Sequence, residues 1–318
     1  MIALVLSLCA AAAVAVVGGV LLQTDGNASP AITSARPAGE PPLLLDLGVR
    51  TDREARDLRR GESLVADGKR AQAAAIFERY PSAEGRVGLA LARWPQGSVA
   101  ALRRLAADHP RSALVRLNLG FALFWSGARE QAVEQWREAE RLEPDTLSAV
   151  RADDLLHPNT PRGRPVFVPS QPFPERIASL PADRQLAELG AAADGGGTAE
   201  KLQYGVVLQR LGRPLSARRA YDQAAALAPN DPEARVAAAV GRYDKDDPAA
   251  AFSRLGPLAR RFPDAPTVRF HLGLLLLWTG AIDEAKAQLG RAAAIDPADP
   301  LSREAKRFLT RLADAGTD

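Results

Sequence analysis

Two stretches of this sequence repeat one another: residues 115–127 read VRLNLGFALFWSG, and residues 268–280 read VRFHLGLLLLWTG. They lie 153 residues apart, and the likeness continues in step, for example through Ala132 and Ala285. A match of this length is too long to arise by chance. The chain therefore contains an internal duplication, and repeats of this kind decide the fold class before any single motif does.

A shorter period of 34 residues runs through the second copy. Each period holds two apolar stretches of about a dozen residues, separated at a glycine such as Gly212 or Gly280. This pattern predicts two short helices per period, and one such pair cannot bury its apolar face alone. The residues that keep the period are small residues and prolines: Gly205, Ala239 and Gly273; Ala217, Ala251 and Ala285; Pro229, Pro263 and Pro297.

These positions resemble the tetratricopeptide repeat, which has small residues at positions 8, 20 and 27, a large residue at 24 and proline at 32. Residues 113–146 match that pattern with Gly120, Ala132, Trp136, Ala139 and Pro144. The resemblance implies an all-α fold of two three-repeat α-solenoid lobes, each closed by a capping helix. The repeats fall at about 54–81, 82–112 and 113–146, and at 198–231, 232–265 and 266–299, with capping helices at about 147–156 and 301–313.

The remaining segments complete a six-part organisation. We expect a transmembrane anchor at 1–22, a flexible tether at 23–53, the first lobe with its cap at 54–156, a Pro-rich extended linker at 157–181, a short helix and glycine hinge at 182–197, and the second lobe with its cap at 198–315. Six prolines between 157 and 174 exclude a helix there.

Two apolar segments outside the repeats are expected to dock onto them. An extended linker bearing Val166, Phe167, Val168 and Phe173 would otherwise expose an apolar patch. We therefore expect it to lie in the groove of one lobe and to hold the two lobes in a fixed arrangement. The run Leu43-Leu44-Leu45 is expected to dock onto the first folded helices.

Residues 1–22 are apolar except for Ser7, and no charged side chain precedes Asp25. A helix of this length spans about 33 Å, enough for a hydrocarbon core of about 30 Å. A cleaved signal peptide is the alternative, although it would favour a basic start and a shorter apolar core. Cytoplasmic flanks of a membrane span are usually rich in Lys and Arg, and the first such residue after this span is Arg36. We therefore expect a single-pass protein of the cell membrane with its body on the extracytoplasmic side. Small residues at spacing four leave a homodimer of anchors open.

The resemblance also implies a partner-binding groove, because the first helices of successive repeats line a concave face in this family. Carried over to this chain, and with neighbouring polar positions, the groove residues are Leu117, Phe121, Phe124, Trp125, Gln209, Arg210, Phe270, His271, Leu274 and Trp278. The alternative is that both tryptophans pack on the following capping helix. Some members of this family bind a terminal carboxylate through Lys, Arg and Asn residues of the groove. We do not expect such a site here, because apolar residues occupy the positions of the cations, and Asn118 is common in the family consensus.

The composition argues against several other functions. One Cys and 3 His, without metal-ligand spacing, predict no metal site, and we expect no catalytic or cofactor-binding residues. Basic and acidic residues nearly balance, with a net charge of +3, which argues against a nucleic-acid-binding surface. We therefore expect a bacterial membrane-anchored scaffold or assembly factor, not an enzyme, that binds a protein or peptide. The alternatives are a self-associating structural protein, a periplasmic accessory factor in cofactor attachment or envelope assembly, and a hydrolase with a site between the lobes.

Overall fold

The computed structural model describes residues 39–314, and every regular element in that range is a helix. The all-α helical solenoid predicted from the sequence is confirmed for these residues. They separate into two units, which we call the N-terminal unit, up to His157, and the C-terminal unit, from Pro158. No helix within 39–314 is long and apolar enough to cross a bilayer. The expected anchor, 1–22, lies outside the described residues, as does most of the expected tether.

The N-terminal unit consists of an extended stretch, residues 40–47, followed by seven helices in its described part. Each odd-numbered helix up to α5 packs against the next helix through a short connection, and α7 covers α5 and α6. The first helices α1, α3 and α5 also contact one another in order, so they form one layer. The helices are α1 (Arg53–Ala66), α2 (Arg70–Phe77), α3 (Ala83–Ala92), α4 (Ser98–Asp108), α5 (Ala113–Trp125), α6 (Arg129–Leu142) and α7 (Leu147–Leu156).

The C-terminal unit repeats this plan after a non-helical stretch, residues 158–174. Its three helix pairs are α10–α11, α12–α13 and α14–α15; α9 packs on the first pair and α16 on the last. The first helices α10, α12 and α14 again contact one another in order. The helices are α8 (Glu175–Ala178), α9 (Ala182–Gly195), α10 (Thr198–Arg210), α11 (Pro214–Leu227), α12 (Pro232–Val240), α13 (Ala249–Arg261), α14 (Pro266–Trp278), α15 (Ile282–Ile295) and α16 (Pro300–Asp314).

Close approach at glycines explains why the two helices of a pair pack so tightly. A Cβ atom placed on Gly273 of α14 would lie 2.7 Å from Cγ of Leu289 on α15, which is closer than two carbon atoms can approach. Gly205 faces Tyr221 across α10 and α11 in the same way, and its Cβ would overlap the tyrosine ring. At these two glycines, a large side chain of the second helix therefore crosses the first helix.

Candidate functional site

In the C-terminal unit, the extended residues 164–174 lie across the first helices of the repeats. Phe167 is only 1% exposed. Its N–H donates to Oε1 of Gln209 at 3.0 Å, and Nε2 of Gln209 donates back to its carbonyl at 3.2 Å. One side chain of α10 thus satisfies both backbone groups of a single residue in the segment. The expectation that the linker docks into the groove of one lobe is confirmed, and its expected role in holding the two lobes together stays a prediction.

The ring of Phe167 occupies a pocket between two other rings. It meets Tyr221 edge-on, with centroids 5.4 Å apart, and stacks on His271 at 5.2 Å with an interplanar angle of 20°. Edge-on and offset stacking are the favourable arrangements for aromatic pairs. The pocket therefore selects an aromatic side chain at this position of the segment.

His271 also holds the backbone of the segment, and its hydrogen bonds fix its tautomer. Its Nδ1 lies 2.7 Å from the carbonyl oxygen of Thr267, which can only accept, so Nδ1 carries the proton. Nε2 is then the acceptor for the N–H of Val168 at 2.9 Å. Burial lowers the pKa of His271 to about 4, and the hydrogen bond with Thr267 opposes this only in part. The ring is therefore neutral at physiological pH.

Further contacts hold the segment on both sides of Phe167. The N–H and hydroxyl of Ser170 donate to the two carboxylate oxygens of Glu233 on α12, each at 2.6 Å. Arg210 lies over the ring of Phe173 at 4.7 Å. Arg164 donates to the carbonyl oxygen of Tyr243 at 3.1 Å. All three first helices of this unit therefore contribute to one binding groove, which we call the C-terminal groove.

The N-terminal unit holds an extended segment of its own, residues 41–47. Its side chains alternate, because Pro41, Leu43, Leu45 and Leu47 are buried while the residues between them are partly or fully exposed. Alternation of this kind is what an extended backbone produces when one side faces an apolar surface. The three buried leucines belong to the same apolar cluster as Leu117 of α5.

Polar side chains of the first helices also bind the backbone of this segment. Asn118 of α5 accepts the N–H of Leu44 at 3.2 Å and donates to its carbonyl at 2.8 Å. Glu62 of α1 accepts the N–H of Leu45 at 2.8 Å. Burial raises the pKa of Glu62, and the hydrogen bond from Leu45 opposes this. The face of α1 and α5 that carries these groups is called the N-terminal groove below.

Two carboxylates anchor the ends of the segment in the N-terminal groove. Oδ2 of Asp46 accepts from the backbone N–H of Ser148 at 3.1 Å and from its hydroxyl at 3.4 Å, at the first turn of α7. Glu40 forms an ion pair with Arg70. Arg70 also donates to the carbonyl of Pro41 at 3.3 Å. An ion pair therefore holds the first end of this segment, and hydrogen bonds from the start of α7 hold the carboxylate near the other end.

The two grooves correspond through the internal duplication. Asn118 and His271 occupy equivalent positions, 153 residues apart, and each accepts a backbone N–H from an extended segment. Both units therefore hold an extended segment through a side chain at this position, an asparagine in one unit and a histidine in the other.

The residues predicted to form a partner groove in the N-terminal unit lie around α5. Leu117 and Phe121 are buried in the core, and Phe124 and Trp125 are partly buried. Phe121 and Trp125 meet edge-on, with ring centroids 6.3 Å apart. Nε1 of Trp125 is buried without a hydrogen-bond partner among the described residues. Leu117 and Phe121 thus belong to the apolar core of the N-terminal unit, and Phe124 and Trp125 pack against it.

The predicted groove residues of the C-terminal unit divide into two groups. Gln209, Arg210 and His271 contact the bound segment directly. Phe270, Leu274 and Trp278 are buried in a cluster that includes Phe308 and Leu312 of the capping helix α16, and Trp278 meets Tyr243 edge-on at 6.0 Å. The choice between lining a groove and packing on the capping helix stays a prediction for both tryptophans.

Four polar residues of the grooves were not singled out as binding residues by the sequence. These are Glu62, Asn118, Ser148 and Glu233. Glu62 and Glu233 look like ordinary solvent-facing helix residues, and Asn118 matches common repeat consensus. The apolar run Leu43-Leu44-Leu45 indicates that a surface of the first helices covers it, but the run does not indicate which polar residues bind its backbone. Among the described residues, no cluster of three His, Cys, Asp or Glu could hold a metal ion.

Comparisons with known proteins agree with the helix-pair repeat. Residues 242–313 match the family model of the tetratricopeptide repeat. No curated protein matches the chain.

Several solved structures are similar. YrrB, described as a TPR protein with an unusual peptide-binding site, is 17% identical with a TM-score of 0.32, over 66% of this chain and 99% of that one. A tetratricopeptide repeat protein from Parabacteroides merdae is 11% identical with a TM-score of 0.35, over 83% and 99%. Yeast Tom70 is 14% identical with a TM-score of 0.34, over 88% and 67%. These superpositions are too loose to transfer a binding mode.

The matched residues cover α13 to α16, where Gly273 crosses Leu289 in the way described above. The same crossing recurs at Gly205 in the C-terminal unit and at Gly120 in the N-terminal unit. The family match therefore shows tetratricopeptide-type repeats in residues 242–313, and the recurring glycine contact extends the same helix-pair packing to both units.

Proposed function

We propose that this protein is a membrane-anchored interaction scaffold or assembly factor that binds extended segments of partner proteins in its two grooves. The observation that carries the proposal is the way Asn118 and Gln209 each satisfy both backbone groups of one bound residue. Contacts of this kind recognise an extended backbone, while the pockets beside them select side chains. The proposal assigns no catalytic role to the chain.

The segments of the chain itself occupy both grooves, so a partner binds by replacing one of them. A tethered segment competes at a high effective concentration, which lowers the apparent affinity for a free partner. Each groove therefore opens only to a partner that is itself concentrated nearby, or when the occupying segment is displaced.

The location of the protein is also part of the proposal. Residues 1–22 would anchor it as a single-pass protein of the cell membrane, with the repeat units on the extracytoplasmic side. Residues 23–40 would then lead directly from the anchor to the segment in the N-terminal groove. A partner in the same membrane, or tethered to it, meets the concentration requirement.

Site-specific photocrosslinking in membranes tests the proposal with the full-length protein. A photoreactive residue replaces Arg210 at the rim of the C-terminal groove, and the same residue at Leu227, which is 58% exposed on α11, serves as the control. Replacing Phe167 with Asp should displace the occupying segment and increase adducts at position 210, and adding Gln209→Ala should remove them.

Three outcomes of this experiment are informative. Adducts at position 210 with another protein, absent at position 227, support the scaffold. Adducts of the chain with itself at the same position support the self-associating structural protein instead. Equal adducts at both positions, or none at position 210 in any variant, would refute partner binding in the groove.

A further inference from the structure

We infer that the N-terminal groove is specific for acidic, leucine-bearing partner segments, with leucines at alternate positions and a carboxylate near each end. This inference rests on the proposed function and names the chemistry of one partner. The segment seated in the groove, residues 40–47, is the guide to that chemistry. Four independent features of the groove support it.

The first feature is apolar spacing. Leu43, Leu45 and Leu47 are all buried, and they share one cluster with Leu117 and Phe121. A strand places every second side chain on the same side, so a partner has to repeat this spacing to fill the same space. A helical partner segment, with apolar residues three or four apart, would not match it.

The second feature is the pair of backbone acceptors. Asn118 and Glu62 accept the N–H groups of Leu44 and Leu45, two consecutive residues. Asn118 also donates to the carbonyl of Leu44. A partner therefore needs free backbone N–H groups at these two positions, which excludes proline there.

The third feature is the preference for negative charge at both ends. The N–H and hydroxyl of Ser148 converge on the carboxylate of Asp46 at the start of α7, a helix of ten residues whose N-terminus favours an anion. At the other end, the guanidinium of Arg70 pairs with Glu40. A lysine in place of Asp46 would face the N–H donor of Ser148, and a lysine in place of Glu40 would face the cation of Arg70, so both would be unfavourable.

The fourth feature is the contrast with the C-terminal groove. There, Glu233 accepts hydrogen bonds from Ser170, and the carbonyl of Tyr243 accepts from Arg164. These acceptors disfavour a carboxylate in the segment, because two acceptors face each other. The pocket between Tyr221 and His271 takes an aromatic ring. The two grooves thus differ in both charge and side-chain preference.

Peptide binding in trans tests the inference on the full-length protein in detergent. The probe is a fluorescein-labelled peptide of residues 39–48, GEPPLLLDLG, and the protein carries Leu43→Asp and Leu45→Asp to empty the groove. We expect saturable binding, and at least a tenfold loss of affinity when both acidic residues of the peptide are replaced by lysine. A peptide of residues 163–174, GRPVFVPSQPFP, should not compete.

The possible outcomes separate this inference from the proposed function. Equal binding of the acidic and the lysine peptides would overturn the charge specificity while leaving peptide binding intact. Failure of both peptides to bind the emptied groove, in a protein whose circular dichroism is unchanged, would refute the proposed function as well.

Hydrogen exchange in the chain itself keeps the test decisive if the emptied protein does not fold. The change Asp46→Lys leaves all three leucines in place, and we expect it to speed exchange of the Leu45 amide at least tenfold. The control Glu130→Lys, on the exposed surface of α6, should leave that amide unchanged. Unchanged exchange in Asp46→Lys would overturn the inference.

Discussion

Acidification should release the segment from the C-terminal groove through His271. In the neutral ring, Nε2 accepts the N–H of Val168 and Nδ1–H donates to Thr267. Protonation adds a hydrogen to Nε2, so the ring carries a second N–H, which then faces the N–H of Val168. The hydrogen bond becomes a repulsion between two donors, inside a buried site that disfavours the charge.

The sign of the pH dependence follows from the lowered pKa. Folded His271 has a pKa of about 4, compared with 6.5 for an exposed histidine. Between these two values the open or unfolded state binds the proton and the closed state does not, so stability falls as the pH falls. Above pH 6.5 the contribution of His271 is constant, and below about pH 4 it levels off again.

The magnitude follows from the same difference. At about 1.4 kcal/mol for each pH unit, acidification from pH 6.5 to 4 costs the closed state about 3 kcal/mol. This is on the order of a hundredfold in the equilibrium for opening. The full effect requires that His271, which is 1% exposed in the closed state, reaches solvent when the segment leaves.

Hydrogen exchange of single amides measures this release within one sample. The amide of Val168 reports the C-terminal groove. The amide of Leu44, which is held by the non-titrating Asn118, is the internal reference, and the His271→Asn variant described below corrects for titration of the neighbouring Glu62. After correction for intrinsic rates, we expect Val168 to lose about a hundredfold in protection between pH 6.5 and 4 relative to Leu44.

The variant His271→Asn is the matched control, because it places in this unit the residue that the other unit uses. The charged groups on the neighbouring elements, namely Arg164, Arg210, Glu233 and Lys245, are the same in both proteins. The difference between the two proteins therefore isolates His271. Equal loss of protection in the variant and the natural chain, or no loss relative to Leu44, would refute the reasoning.

Four other changes test the packing. Gly205→Ala should destabilise the protein by about 1–3 kcal/mol in urea denaturation, because its methyl group overlaps the facing tyrosine. Gly290→Ala, which has open space around it, should stabilise by about 0.5–1 kcal/mol; the same sign for both changes would contradict this explanation. Asn118→Ala should cost about 1–3 kcal/mol and speed exchange at Leu44; an unchanged amide would show that Asn118 does not hold the segment. Phe167→Ala should cost about 3–5 kcal/mol and make residues 160–175 sensitive to limited proteolysis; rapid cleavage there in the natural chain would contradict the docked segment.

The sequence predicts the helix pairs well because their cause is local and periodic. Gly205, Ala239 and Gly273 recur at the 34-residue interval, and at the two glycines a large side chain of the second helix crosses, so the periodic pattern in the sequence reflects the packing. The docking of Phe167 is also predictable, since an extended apolar segment has to be covered. Each of these inferences needs only neighbouring residues and a general rule about burial.

The polar contacts in the grooves depend on tertiary structure, so they produce no periodic pattern in the sequence. Glu62 and Leu45 are 17 residues apart, and Glu233 and Ser170 are 63 apart, so no local spacing relates them. A glutamate on a helix is ordinarily a solvated residue, and only the folded chain shows which one faces a backbone N–H. The choice between groove and packing for Trp278 was open for the same reason.

Under the proposed function, the occupied grooves connect the stability of each unit with its capacity to bind a partner. Each fully buried leucine contributes about 1.5–3 kcal/mol, so Leu43, Leu45 and Leu47 together stabilise the N-terminal unit by several kcal/mol. A partner that displaces them has to bury a similar apolar area, or the exchange is unfavourable. Short segments with a single apolar residue are thereby excluded, and competition by the chain's own segment becomes a filter for partners that carry several.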